Sequence, residues 1–208
     1  KYFILANDFD ATSTYGADGM QWANAGRGFA GTLDGRNHTI TGGEMYGGGL
    51  FGSIESGTVK NIKFADVKAV GANRVLIAGT LFNATLENVE IYITDKKVCE
   101  SGYFFGILAS HPVNNVTLTN VKIDAAGSTF PWIGGNHPSN NADPAKWHCT
   151  NVEIIADSVG CFASGNAGKL YLDQVEGLTY KLSGSIDTTK DSGVESIDPK
   201  QFGDSFEW

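Results

Sequence analysis

Val59-Lys60-Asn61-Ile62-Lys63-Phe64 is one copy of a hexapeptide pattern that recurs along the chain. The same order of residue types (apolar, polar, Asn, β-branched, charged, apolar) returns in segments 86–91, 118–123 and 149–154, and in a degenerate form in 172–178. The amide position is occupied by Asn61, Asn88, Asn120, Asn151 and Gln174, at intervals of 27, 32, 31 and 23 residues. Repeats of this length are typical of stacked structural units.

Apolar and polar residues alternate within each copy, as in a β-strand with one buried face. The Asn position interrupts this alternation. If the chain coils once per repeat, equivalent residues lie about 4.8 Å apart. Each carboxamide can then donate a hydrogen bond to one neighbour and accept one from the other. The alternative is that Asn is present because it favours turns. We predict an all-β fold, a single-stranded right-handed parallel β-helix with an internal Asn ladder.

The composition supports an all-β protein and excludes several functions. The chain has 208 residues, of which 41% are hydrophobic and 18% charged, with 27 Gly and 5 Pro. This composition is not typical of a helical or disordered chain. The net charge of −8 and the absence of a basic cluster argue against nucleic acid as a partner. No apolar run approaches the roughly 18 residues that a membrane span requires.

The two ends of the chain differ from its middle. The chain begins at Lys1 without a signal peptide, so we expect a processed protein or a piece of a longer one. We assign residues 1–186 to the β-helix. Residues 187–208 are acidic and carry three aromatic residues. This segment is either a cap on the open end of the solenoid or the start of a linker to a further domain.

Glycines mark the predicted turns. Asp34-Gly35 predicts a turn, with positive φ at Gly35 and strands on both sides. The run 47–52 predicts a tight corner that leaves room for Phe51 to point inward. Each repeat is expected to contain two strands, for example 75–82 and 85–93. Segments 94–102 and 134–146 are predicted to be long loops.

The first seventy residues resemble a known family. Gly28 to Ile40, followed by Gly49-Leu50-Phe51-Gly52 and Val59-Lys60-Asn61-Ile62, is similar to the GLUG-like right-handed β-helix repeat proteins of bacterial cell surfaces. Later repeats depart from the pattern and match it only in the hexapeptide. The resemblance implies the β-helix fold and a secreted or cell-wall location. It leaves the activity open, because such repeats accompany adhesins, phage tail proteins and enzymes.

A group of aromatic and polar residues is the candidate ligand site. Trp132 and Trp147 flank a polar loop, and aromatic rings offer flat apolar faces to sugars while amides bind their hydroxyls. The alternative is that both indole rings pack inside the protein. The residues predicted to bind a polysaccharide are Trp132, Trp147, His137, Asn140 and Tyr103.

The sequence gives little support for catalysis. No nucleophile–base arrangement or phosphate-binding loop is identified, and we assign no catalytic residue. Asp8, Asp10 and Asp18 could meet a cation such as Ca²⁺, but they lack the spacing of a calcium loop, and we expect no cofactor. We interpret Cys149 and Cys161 as small buried hydrophobic residues. Lys63, Glu90, Lys122 and Glu153 are expected to stack on the outside with alternating charge, which contributes little stability per pair.

Three functions remain open after these observations. The first is a non-catalytic adhesion, receptor-binding or carbohydrate-binding module of a larger secreted or surface-attached bacterial or phage protein. The others are a polysaccharide-degrading, lyase-like β-helix enzyme and a structural spacer. The expected location is extracellular. The expected partners are a surface glycan or host receptor and other domains of the same polypeptide.

Three Asn-x-Thr sequences, the acceptor pattern for N-glycosylation, occur at Asn37, Asn83 and Asn115. About two are expected by chance, so their presence does not indicate glycosylation.

Overall fold

The structure is a computed structural model. It describes residues 1–12, 28–46, 49–66, 68–70, 77–93, 109–127, 129–132, 136–137, 146–161, 164–165 and 175–183. These residues form strands and turns, and no helix occurs among them. The prediction of an all-β chain is confirmed for this part of the protein.

The strands vary from two to sixteen residues in length. In chain order they are β1 (Tyr2–Ile4), β2 (Phe9–Asp10), β3 (Thr32–Thr41), β4 (Glu44–Tyr46), β5 (Ser53–Glu55), β6 (Thr58–Ala65), β7 (Lys68–Val70), β8 (Ala78–Tyr92), β9 (Ala109–Asp124), β10 (Thr129–Trp132), β11 (Asn136–His137), β12 (Lys146–Ala156), β13 (Ser158–Cys161), β14 (Ser164–Gly165) and β15 (Val175–Leu182).

All strand pairs described are parallel. The main sheet has the order β1-β3-β6-β8-β9-β12-β15, with β2 also paired to β3 and β5 also paired to β8. Along this path, each strand lies beside the next long strand of the chain. Three smaller parallel pairs lie outside the main sheet: β4 with β7, β10 with β13, and β11 with β14. Because parallel neighbours need long crossover connections, the chain must return to the same end of the sheet between strands.

The repeated hexapeptides are aligned in register, and their apolar positions form the core. Val59 pairs with Leu86, Leu86 with Leu118, and Leu118 with Cys149. A second inward column contains Phe64, Ile91, Ile123 and Ile154. Every member of both columns is buried. The apolar spacing of the sequence thus predicts which side chains meet across the sheet.

The repeated asparagines bend the strands. Their φ angles are 51° at Asn61, 52° at Asn88, 53° at Asn120 and 52° at Asn151, in the left-handed region. Asn tolerates this conformation better than other non-glycine residues. One left-handed residue resets the inward–outward alternation, which explains the interruption seen in the sequence.

The predicted internal position of the ladder is wrong. Asn88, Asn120 and Asn151 are exposed, and Asn61 is half-buried. The left-handed bend turns each Asn side chain toward the outer side of the corner, while the apolar residues beside it point inward. Gln174, the fifth predicted member, lies outside the described residues.

Two predicted turns differ in the structure. Strand β3 continues through Asp34-Gly35, and the positive φ angles belong to Arg36 (50°) and Asn37 (65°) rather than to Gly35. Likewise, the predicted break between 82 and 85 is absent, because β8 continues through Asn83 at a φ of 48°. In both places one or two left-handed residues change the direction of the chain without ending the strand ladder.

The structure also describes Phe51, Cys149 and part of one predicted loop. Phe51 is buried and its ring centroid lies 4.7 Å from that of Phe29. Cys149 is a buried free cysteine, and burial raises the pKa of its thiol to about 12. The short strand β11 lies within the segment predicted to be a loop. The predicted loop 94–102 and the terminal segment 187–208 lie outside the described residues.

Candidate functional site

A row of threonines lies on the outward side of the main sheet, before the Asn bend. Thr32 pairs with Thr58, Thr58 with Thr85, and Thr85 with Thr117. All four are half-buried. We call Thr32, Thr58, Thr85 and Thr117 the threonine row. Neighbouring strands are about 4.8 Å apart, so these side chains repeat at that interval.

A second row of polar residues runs beside the first, two residues before three of the threonines. Ser56, Asn83 and Asn115 are exposed. Ser56 and Asn83 have φ angles of 59° and 48°, so they form a second left-handed corner. The backbone N–H of Ser56 donates to the Phe82 carbonyl at 2.8 Å, and that of Asn115 donates to Asn83 Oδ1 at 3.4 Å. We call Ser56, Asn83 and Asn115 the corner row.

The two rows together form an uncharged polar strip. Hydroxyl groups and carboxamides can each donate and accept hydrogen bonds. A strip of such groups therefore matches a ligand that presents hydroxyls at regular intervals. On its other side the strip is bordered by Lys60, Glu87 and Thr119, which are aligned in register and half-buried.

Beyond the Asn bend, the outward side of the sheet is charged. Lys63, Glu90, Lys122 and Glu153 are in register, as predicted. Lys122 Nζ lies 3.7 Å from Glu153 Oε2. Lys181, which donates to Glu153, lowers the pKa of that carboxyl. These opposite charges neutralise one another along the column.

An aromatic residue is built into this charged face. Lys63 Nζ lies 4.3 Å from the centroid of the Tyr92 ring, and Lys122 Nζ lies 5.6 Å from it. The Tyr92 hydroxyl donates to Glu90 at 2.9 Å, and this hydrogen bond raises the pKa of Tyr92. The ring is thus already held by two cations and a carboxylate of the protein itself.

The side chains of Asn88, Asn120 and Asn151 each donate to the preceding repeated Asn, and this Asn ladder ends at a carboxylate. Asn61 Nδ2 donates to Asp34 Oδ1 at 3.0 Å, and the Tyr2 hydroxyl donates to Asp34 Oδ2 at 2.5 Å. The Arg36 backbone N–H donates to the same carboxylate at 3.0 Å. These hydrogen bonds, led by that from Tyr2, lower the pKa of Asp34 to about 2. Asp34 is therefore ionised at neutral pH and fixes the direction of the first carboxamide.

Among the residues predicted to bind a polysaccharide, Trp147 is the one whose side-chain burial the structure describes. Trp147 is fully buried, opposite Val116 in the neighbouring strand, so its ring offers no surface to a sugar. This corrects its assignment as a ligand-binding residue. The backbone of Trp132 pairs with Cys161, and that of His137 with Gly165. Tyr103 and Asn140 lie outside the described residues.

The threonine row had a signal in the sequence that the hexapeptide pattern missed. Thr58, Thr85 and Thr117 each stand three residues before the repeated Asn, one position ahead of the first apolar residue. His148 takes this position in the next repeat and pairs with Thr117. Extending the pattern by one residue would have included the row.

Comparisons with known proteins add no family to this description. No family model matches the chain, and neither a curated protein nor a solved structure matches it. Within the described residues, no helix has the length and apolar character needed to cross a membrane. In the same part of the chain, no group of three or more His, Cys, Asp or Glu side chains is placed to hold a metal ion.

Proposed function

We propose that the chain is a right-handed parallel β-helix and acts as a non-catalytic carbohydrate-binding module of a larger secreted or surface-attached bacterial or phage protein. The order of the main sheet supports the fold, because consecutive long strands of the chain are parallel neighbours. The three smaller parallel pairs support it further, since a coiled chain stacks each segment on its equivalent in the next turn. The resemblance to GLUG-like repeats points to the same architecture and location.

The uncharged polar strip is the observation that carries the proposed function. It is exposed at the corner row, it repeats with the strands, and its groups are hydroxyls and carboxamides. A polysaccharide presents hydroxyls along an extended chain, so several weak hydrogen bonds can form side by side. The charged column beyond the Asn bend already pairs its own groups and offers fewer of them to a ligand.

A glycan array with matched variants tests this proposal. Thr85→Val/Thr117→Val removes two hydroxyls and keeps the β-branched shape. We expect it to weaken glycan binding by about tenfold or more, since each net hydrogen bond contributes about 0.5–1.5 kcal/mol. The control is Thr39→Val/Thr41→Val, which makes the same change on the outward side beyond the Asn bend. The control should bind like the wild type.

The same wild-type and variant proteins also distinguish the other two candidate functions, a lyase-like enzyme and a structural spacer. Depolymerisation of acidic polysaccharides by the wild-type chain would favour the lyase-like enzyme instead. If the wild type neither binds nor degrades any glycan, the proposal fails and a structural spacer is favoured. Equal loss of binding in both double variants would assign the effect to the scaffold rather than to the strip.

A further inference from the structure

The chemistry of the polar strip is constant in one direction only, at right angles to the strands. In that direction the threonine row repeats the same side chain in β3, β6, β8 and β9. Along a single strand the chemistry changes within a few residues. In β8, Thr85 is followed outward by Glu87 and Glu90, and the left-handed Asn88 bends the chain between them. A linear ligand with repeating neutral groups therefore meets matching groups only when it crosses successive strands.

The hydroxyl groups of the threonine row have hydrogen-bonding capacity to offer. In the part of the chain that the structure describes, no other protein group is hydrogen-bonded to the side-chain hydroxyls of the four threonines. Each of these side chains is half-buried, so part of it is in contact with solvent. A hydroxyl can donate one hydrogen bond and accept two. The row therefore presents one donor and two acceptors at every strand.

The backbone holds these hydroxyls at a regular interval. The Thr58 N–H donates to the Gly31 carbonyl at 2.8 Å, and the Thr85 N–H donates to the Gly57 carbonyl at 3.0 Å. The β-branched side chain of threonine is restricted at its first torsion angle. A ligand therefore freezes little motion when it binds, and several weak hydrogen bonds can add to a useful affinity.

The charges beside the strip select a neutral ligand. The column next to the threonine row contains Asp34, Lys60 and Glu87, which are aligned in register. Lys60 Nζ lies 3.9 Å from Asp34 Oδ2, so this cation already has an anionic neighbour. Two carboxylates and one ammonium leave the border negative, and the whole chain has a net charge of −8. An acidic glycan is therefore repelled, whereas a neutral one is not.

We propose that the polar strip binds a neutral, linear, extended glycan that lies at right angles to the strands, with about one sugar residue per strand. The inference rests on the proposed function and specifies the class of the ligand and its direction. Neighbouring strands are about 4.8 Å apart, so the four threonines span about 14 Å. A pyranose ring in an extended β-linked chain has a length similar to one strand interval. Successive sugars then place their hydroxyls on successive threonines, and the corner row contacts the edge of the chain.

Titration calorimetry with the full chain tests the proposal. The neutral probes are β-1,4-linked oligomers of glucose, mannose and xylose with two, four and six sugars, and the acidic probes are oligogalacturonates of the same lengths. The protein variants Thr58→Val, Thr85→Val and Thr117→Val each remove one hydroxyl from a different strand. Thr→Ser at the same positions keeps the hydroxyl and reports on any change in packing. Thr39→Val, on the outward side beyond the Asn bend, is the control.

We expect at least one neutral series to bind, with an affinity that rises about tenfold or more from two to four sugars and little beyond four, because the row has four members. Each of the three Val variants should weaken the tetramer about two- to tenfold, the loss of one hydrogen bond. The Ser variants and Thr39→Val should bind like the wild type. The oligogalacturonates should bind more weakly than the neutral oligomers of equal length.

Three results would overturn the proposal. A loss confined to one of the three Val variants would mean that the glycan follows a single strand. Equal or tighter binding of the oligogalacturonates would assign the strip to acidic glycans and would leave the proposed glycan-binding function standing. Binding of neither the neutral nor the acidic oligomers would contradict this inference and the proposed function together.

Discussion

Each repeated asparagine contributes in two separable ways, through its backbone and through its side chain. The backbone takes φ angles between 51° and 53° at all four positions. The side chains form one directional chain, in which Asn88 donates to Asn61 at 2.8 Å, Asn120 to Asn88 at 2.8 Å and Asn151 to Asn120 at 2.9 Å. Every Nδ2 donates toward the N-terminal neighbour, and the series ends on the Asp34 carboxylate.

Two substitutions at Asn120 separate these contributions. Asn120→Gly keeps the left-handed bend and removes both ladder hydrogen bonds, which we expect to cost about 1–2 kcal/mol. Asn120→Ala loses the same hydrogen bonds and also places a Cβ in the left-handed region, at a further cost of about 1 kcal/mol. Urea unfolding measures both losses of stability, provided that the slope of the unfolding free energy against urea concentration is the same for all variants. If Ala proves no less stable than Gly, the left-handed bend is not what selects Asn.

Asp34 gives the ladder a pH dependence that can be measured. Its pKa is lowered to about 2, so its ionised form stabilises the folded state above the ordinary carboxyl pKa. That contribution is lost as the pH falls from about 4 to about 2. Asp34→Asn should be less stable than the wild type at pH 7, and the difference should shrink across this interval. A constant difference between pH 7 and pH 2 would show that the Asp34 charge is not involved.

The column of amides could be predicted from the sequence, but its position could not. The period of the repeat brings the amides into register, and the structure has them hydrogen-bonded. The sequence allows two reasons for an Asn at the position that interrupts the alternation of apolar and polar residues. One is a side-chain ladder and the other is the preference of Asn for turns. The structure shows both, since the side chains are hydrogen-bonded and the backbones are left-handed. Because the sequence does not show which side of a left-handed bend the side chain takes, the predicted internal ladder lies on the outside.

Strand β3 shows how a glycine can be required for space rather than for a turn. A Cβ on Gly35 would lie 2.5 Å from the Asn61 carbonyl oxygen and 2.5 Å from Ile62 Cβ in the adjacent strand β6. Both contacts are far closer than van der Waals distance. The Asp-Gly pair is a reliable turn signal in hairpins, but here the neighbouring strand decides the residue.

Gly35→Ala should therefore separate β3 from β6 locally. We expect a loss of about 1–3 kcal/mol, the usual cost of overpacking. Thr58→Ser, an outward substitution on the paired strand β6, should change stability by no more than about 0.5 kcal/mol. Thermal or urea unfolding of both variants provides the comparison. A Gly35→Ala protein as stable as the wild type would mean that the two strands are not this close.

The strand pattern also explains the three Asn-x-Thr sequences. Asn83 and Asn115 stand in the corner row, and the Thr two residues later belongs to the threonine row. Asn37 is likewise a left-handed residue, with Thr39 following on the outward side. The three Asn-x-Thr sequences therefore follow from the structure of the repeat, although their number is close to that expected by chance. Composition alone cannot reveal this, because it ignores position within the repeat.

For the protein as a whole, the repeat predicts the core much better than it predicts the site. The inward columns follow directly from apolar spacing. For the site, the sequence points to aromatic residues in the segments that vary between repeats, and an aromatic residue is compatible with either the interior or the surface. Trp147 continues an inward column that contains Ala84 and Val116. Its burial follows from that column.

Trp147 should therefore affect stability and not ligand binding. Trp147→Ala removes a fully buried indole and should lower the free energy of unfolding by about 3–5 kcal/mol. Trp147→Phe keeps most of the apolar volume and should cost less. At a temperature where each variant is folded, glycan affinity should equal that of the wild type. A selective loss of glycan binding by a fully folded Trp147→Phe would return this residue to the binding surface.

One continuous column of asparagine side chains joins parallel strands that follow one another in the chain. Nuclear Overhauser contacts between side-chain amide protons of isotope-labelled protein test it most directly. We expect contacts that link Asn61 to Asn88, Asn88 to Asn120 and Asn120 to Asn151, together with slowed exchange of the donated protons. Four rapidly exchanging side-chain amides with no contacts among them would show that the column does not exist.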